Sequence, residues 1–247
     1  MKPMKLFKTI ALMMVLSSCA KKEVPDVPAI FNDPNWTRIE IAGGREAHAV
    51  YGSIDDTLMA STLTEIYQTT DKGKTWRKTK VNNQPIYGFL AVKDTIFALQ
   101  SNGLLKDNVR MATFSQYFSL DKGSTWDWCS KFRISEQRFQ EFATVSVNNL
   151  VKIKLKENIE PFDENSAPWS GYVLKSDIQV FKNGTSKILQ VPFDNQINNV
   201  HVDKSGKLYV SVGRGIHDKK TGKYLSAEKS QSAIIYISKK NVQQLID

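Results

Sequence analysis

Apolar and polar residues alternate in short runs along most of this chain, and the runs are broken by Asp, Asn, Gly and Lys. A period of two predicts half-buried strands, and the breaks predict tight turns between them. His48-Ala49-Val50-Tyr51 and Thr57-Leu58-Met59-Ala60, joined through Asp55-Asp56, form a first expected hairpin. Tyr87 to Val92 and Thr95 to Leu99, turning at Lys93-Asp94, form a second. A third joins Phe142 to Val147 with Leu150 to Ile153 through Asn148-Asn149. The fourth joins Val200-His201-Val202 with Lys207 to Val212 through Asp203-Lys204-Ser205-Gly206. A further hairpin follows in each unit; in the third it runs from Ile178 to Val191 around Lys182-Asn183-Gly184. Little helix is expected.

Two of these second hairpins carry the same turn. Thr69-Thr70-Asp71-Lys72-Gly73-Lys74-Thr75-Trp76 and Ser119-Leu120-Asp121-Lys122-Gly123-Ser124-Thr125-Trp126 match at a spacing of fifty residues. An Asp ahead of a Gly accepts hydrogen bonds from its own turn, Gly supplies the positive φ, and the hydroxyls close local bonds. The pair resembles the Asp-box, or BNR repeat, of sialidases and many other β-propellers. That resemblance implies an all-β propeller with the boxes as turns between strands C and D, and it makes Asp71 and Asp121 structural. Four units of four strands fit residues 36–247, whereas six or seven blades of about 40–50 residues do not. Trp36-Thr37-Arg38-Ile39-Glu40-Ile41 is expected to join the last blade and close the ring, with Val242-Gln243-Gln244-Leu245-Ile246 as the alternative closing strand.

The N-terminus reads differently from the rest. Lys2, Lys5 and Lys8 precede an apolar run from Ile10 to Leu16 that is too short to span a bilayer, the pattern of a secretory signal. Leu16-Ser17-Ser18-Cys19 resembles the lipobox of bacterial lipoproteins, which implies cleavage of residues 1–18, acylation at Cys19 and a membrane partner through that lipid. Ala20 resembles the sorting residue that sends such proteins to the outer membrane, facing either side. Residues 19–35 then supply the lipidated Cys and a proline-rich tether.

Lys and Arg total 34 against 25 Asp and Glu, a net charge of +9, but the positive residues form no run beyond Lys-Lys pairs. Nucleic acid is therefore not an expected partner. With only Cys19 and Cys129, a zinc site of paired thiolates is excluded, and Cys129 is expected as a buried core thiol. His48, His201 and His217 are not spaced as metal ligands, and no phosphate-cradling Gly loop or nucleophile elbow is present, so neither metal nor cofactor is expected.

Blade topology places the box turns on one face and the B–C loops on the other. Three expected B–C loops are long, at 101–113, 157–172 and 213–231, and long loops in compact domains usually work. Together with the loop at Arg45 they bring Arg110, Trp169, Tyr172, Arg214 and His217 to the face opposite the boxes. Exposed aromatic rings suit the apolar face of a sugar, and Arg suits a carboxylate. The expected function is a lipid-anchored envelope protein that binds a glycan or a protein on this face. Alternatives are a reduced sialidase-like glycoside hydrolase, whose two carboxyl groups would be sought at Asp163, Glu164 and Asp218, or an assembly scaffold. Phe132-Arg133-Ile134 resembles the start of the sialidase Phe-Arg-Ile-Pro motif, but Ser135 replaces Pro and the segment follows both boxes. Seven arginines and four blades are also few for that family.

Overall fold

A computed structural model of the chain describes residues 31–104, 110–129, 140–141, 145–148, 151–167 and 169–246. The chain divides into residues 1–30 and a unit of residues 31–247. The signal segment, Cys19 and the tether up to Ile30 lie outside the described residues, as do Phe132-Arg133-Ile134 and Pro168.

The unit is a four-bladed β-propeller, with the first strand completing the last blade. β1 (Trp36–Ile41) pairs antiparallel with β18 (Ala233–Asn241), from Trp36 opposite Ser238 to Ile41 opposite Ala233. The first blade is β2 (Ala49–Gly52), β3 (Leu58–Ser61), β4 (Glu65–Thr69) and β5 (Arg77–Val81). The second is β6 (Gly88–Val92), β7 (Thr95–Leu104) and β8 (Arg110–Ser119), with β9 (Asp127–Trp128) and β10 (Gln140–Glu141) both paired to β8 at separate places. In the third, β11 (Val145–Asn148), β12 (Val151–Pro161), β13 (Gly171–Lys182) and β14 (Thr185–Ile188) follow in order. The fourth runs β15 (Asn195–Val202), β16 (Lys207–His217), β18 and β1, and β17 (Tyr224–Ala227) extends it beside β16.

Alternation in the sequence becomes alternation in burial. Along β12, Val151, Ile153 and Leu155 are buried between blades while Lys152 is exposed and Lys154 and Lys156 are partly so. β18 is packed on both faces, so Ala233 to Ser238 are all buried and the run reads as continuously apolar. Each such isoleucine contributes about 1.5–3 kcal/mol of burial, which makes this strand and its partner β1 the seam of the ring.

Two expectations need correction. Val242–Ile246 is a short helix, α1, and adds no closing strand. Asn241 Oδ1 accepts the Gln243 N–H at 2.9 Å, a cap that starts a helix where the strand ends, and Val242 and Ile246 turn into the core. The long B–C segments are partly strand, because the flanking strands run on into them. β12 and β13 remain paired out to Pro161 opposite Gly171, β7 and β8 out to Leu104 opposite Arg110, and β16 gains β17. A polar strand persists where a partner strand supplies its backbone hydrogen bonds, whatever its side chains bury.

Candidate functional site

The two faces of the ring differ in what their polar groups do. On the turn face, Asp71 Oδ1 accepts the Thr75 N–H at 2.9 Å and the Thr69 hydroxyl at 2.8 Å, and Oδ2 accepts the Thr75 hydroxyl at 2.6 Å. Asp121 repeats this with Thr125 N–H at 2.8 Å, Ser119 Oγ at 2.8 Å and Thr125 Oγ1 at 2.7 Å. The Thr75 hydroxyl and N–H hold the Asp71 carboxyl down to about 2. Lys72 and Gly73, and again Lys122 and Gly123, take positive φ. Trp126 is buried and donates from Nε1 to Thr79 Oγ1 on the first blade at 3.1 Å, so this turn also fastens one blade to the next.

The same face holds a polar latch across the ring closure. Asp203 Oδ2, on the fourth blade, accepts the hydroxyls of Ser53 from the first blade and Tyr209, both at 2.8 Å. The Tyr209 hydroxyl accepts the Ile54 N–H at 2.9 Å. The Gly52 N–H donates to His201 Nε2 at 3.2 Å. Burial lowers the His201 imidazole to about 4, and it stands between Tyr51 and Tyr209 as a neutral ring.

The opposite face carries the extended hairpins, and the predicted residues divide there into three places. Arg45 is exposed with φ of 63°, and its N–H donates to the Gln231 carbonyl at 2.9 Å. Arg214 Nη2 donates to the Glu228 carbonyl at 2.9 Å. Beside it, His48 Nε2 at 3.3 Å from Glu46 leads the causes that hold the Glu46 carboxyl below its usual range. Arg110 lies 3.3 Å from Glu157, which is itself buried, so this guanidinium ties the second blade to the third. Trp169, Tyr172 and His217 belong to the hairpins of the third and fourth blades.

Between those hairpins lies a cleft of about 520 Å³ lined by Glu160, Pro161, Phe162, Tyr172, Val173, Leu174, Lys223 and Tyr224. Tyr172 is 64% exposed and Tyr224 59%. Each is braced by a second ring at right angles: Phe162 at 5.0 Å and 85° to Tyr172, and His217 at 6.0 Å and 85° to Tyr224. His217 is buried beneath, its backbone N–H donating to the Asp194 carbonyl at 2.8 Å, and burial lowers its imidazole pKa. Lys223 Nζ lies 3.0 Å from Glu160, and the Lys175 N–H donates to the Gly222 carbonyl at 2.9 Å, so the turn of the fourth-blade hairpin is fastened to the side of the third-blade hairpin. Trp169, 70% exposed, stands at the hairpin tip outside the lining.

Asp163 accepts the Asn165 N–H at 2.9 Å and the Ser166 hydroxyl at 3.0 Å, and Asp218 accepts the Thr221 N–H at 2.7 Å and the Lys220 N–H at 3.0 Å. Both carboxylates close their own turns, while Glu164 is exposed near the tip. Cys129 is buried in the core. Phe162 and Lys223 line the cleft without having been singled out from the sequence, whereas Tyr224 was expected on this face with the 213–231 segment. The continuing alternation at Asn158-Ile159-Glu160 was the signal that the strand, and hence the hairpin, ran on.

No family model and no curated protein matches the chain. Among solved structures it is similar to the Trypanosoma rangeli sialidase in complex with the inhibitor DANA, at 14% identity and a TM-score of 0.25, over 77% of this chain and 30% of that one. It is also similar to the Neurospora crassa Pan2 WD40 domain, at 10% identity and 0.34, over 87% and 98% of the two chains. YCF48 bound to D1 peptide is a further likeness, at 13% identity and 0.24, over 81% and 73%. Scores this low speak to neither family nor function.

Proposed function

We propose that this chain is a lipid-anchored protein of the bacterial outer membrane whose propeller binds a glycan or a protein on the hairpin face. The anchor rests on Leu16-Ser17-Ser18-Cys19 and the charged, apolar segment before it. The Asp-box reading of the two turns is supported by their shared hydrogen-bond pattern, and it assigns that face to folding.

The observation that carries the binding role is the exposure of Phe162, Trp169, Tyr172, Tyr224 and Leu225 on two adjacent hairpins of one face. Large rings held in water lose the burial that would otherwise stabilise the fold, and such patches mark interaction sites. The Arg110 and Arg214 side chains, already occupied by Glu157 and the Glu228 carbonyl, add less to this site than the aromatics do. Replacing Trp169 and Tyr172 together with Ala is expected to weaken capture of the envelope partner or glycan while leaving the far-ultraviolet spectrum unchanged. Undiminished binding overturns the assignment of the face. A hydrolase reading would need carboxyl groups other than Asp163 and Asp218, and turnover of aryl glycosides by purified protein tests it.

A further inference from the structure

We infer that the cleft between the third and fourth blades takes a neutral oligosaccharide, a ligand class that rests on the reading of the hairpin face as the binding face. Its walls are two tyrosine rings that are mostly exposed and yet oriented. Phe162 stands edge-on to Tyr172, and the buried His217 stands edge-on to Tyr224. An unsupported surface tyrosine swings among rotamers, and a ligand must then order it at an entropic cost. Rings already held offer flat apolar platforms for the C–H face of a pyranose, with the phenolic oxygens left for its hydroxyls.

The polar groups of the cleft favour a neutral ligand. Glu160 and Lys223 face each other at 3.0 Å, both partly exposed. Sugar hydroxyls can donate to the carboxylate and accept from the ammonium without breaking that pair, whereas an anionic or cationic ligand would compete with one partner for the other. A volume of about 520 Å³, open to solvent, suits a short stretch of a longer chain. The Lys175 N–H to Gly222 carbonyl bond closes the base of the cleft, so the ligand lies across the hairpins and does not pass between the blades.

Calorimetry with the purified full chain tests this, using hexasaccharides of β-1,4- and α-1,4-linked glucose, xylose, mannose, galactose and N-acetylglucosamine, with a hexagalacturonate as the anionic comparison. At least one neutral hexasaccharide is expected to bind, with an affinity that changes less than twofold between low and high salt. Tyr172→Ala and Tyr224→Ala are each expected to weaken it at least tenfold at an unchanged melting temperature, and Trp128→Ala, an exposed ring on the second blade, to leave it unaltered. Failure of all the neutral sugars to bind at millimolar concentration overturns the inference, as does binding of the hexagalacturonate alone. Binding that survives both tyrosine changes but falls with Arg45→Ala or Arg214→Ala removes the cleft and keeps the face. Binding that depends on Lys93 of the turn face removes both.

Discussion

Asp71 and Asp121 make their side-chain bonds within four positions of themselves, so their substitution should be felt locally. Asp121→Ala removes the acceptor for the Thr125 N–H and two hydroxyls, an expected loss of about 1 kcal/mol measured by urea denaturation. Trp126→Ala empties a buried site between blades and is expected to cost about 3–5 kcal/mol. Glycine separates backbone strain from packing. Gly123 and Gly184 both have positive φ, but a Cβ at Gly123 would fall 1.9 Å from the Met59 sulfur, whereas nothing lies within 4 Å at Gly184. Gly184→Ala is expected to cost about 1 kcal/mol, and Gly123→Ala distinctly more because Met59 is buried and has nowhere to move.

Strands and hairpins divide into those that hold the ring and those that stand on it. β1 belongs to the first kind. Ile41 is buried at its end opposite Ala233, and Ile41→Ala is expected to lower stability by about 2–5 kcal/mol. Removing β1 altogether would bare the edge of β18, whose apolar run is a template for association, and light scattering should report self-association of the truncated chain. The outer part of the β12–β13 hairpin belongs to the second kind. Replacing residues 162–170 with Asn-Gly should leave the melting temperature nearly unchanged, because the side chains removed are mostly exposed, while abolishing binding at the cleft.

At the scale of the whole molecule, ring closure relies on the β1–β18 pairing and on the latch that joins the turns of the first and fourth blades. The latch makes the ring acid-labile. His201 has a folded-state pKa of about 4 against 6.5 in the unfolded chain, so between those values the unfolded state binds a proton that the folded state does not. Stability is therefore flat above pH 6.5 and falls as pH drops through the window to 4, by roughly 3 kcal/mol for a shift of this size. Burial opposes ionisation of Asp203, but hydrogen bonds from Ser205, Ser53, Tyr209 and Lys207 outweigh it and keep the carboxyl below its usual value, so its contribution is lost at still lower pH. Urea midpoints measured from pH 7 to pH 4 should decline in the wild-type protein and decline less in His201→Gln. The proposed lipid anchor predicts that Cys19→Ala moves the chain from the membrane to the soluble fraction; a variant that is cleaved and still membrane-bound would refute it.

Features whose bonds close over a few residues were legible in the amino-acid order alone. The turns at Asp71 and Asp121 need only their own hydroxyls and N–H groups, the hairpins need only a period of two, and four such units in the available length leave a four-bladed ring as the closed arrangement. The closing role of Trp36–Ile41 was expected because an unpaired edge would otherwise remain. What tertiary structure decided lies between residues far apart in the chain. Arg110 could not be read as the partner of Glu157, nor Ser53 as the partner of Asp203, because no periodicity links them. Residues 157–172 looked like a loop because their polarity suggests solvent, yet backbone pairing carries strand into both ends of the stretch, out to Pro161 opposite Gly171. The cleft itself exists only because that hairpin and β17 rise side by side, and its two tyrosines are propped by rings of their own hairpins, Phe162 for Tyr172 and His217 for Tyr224.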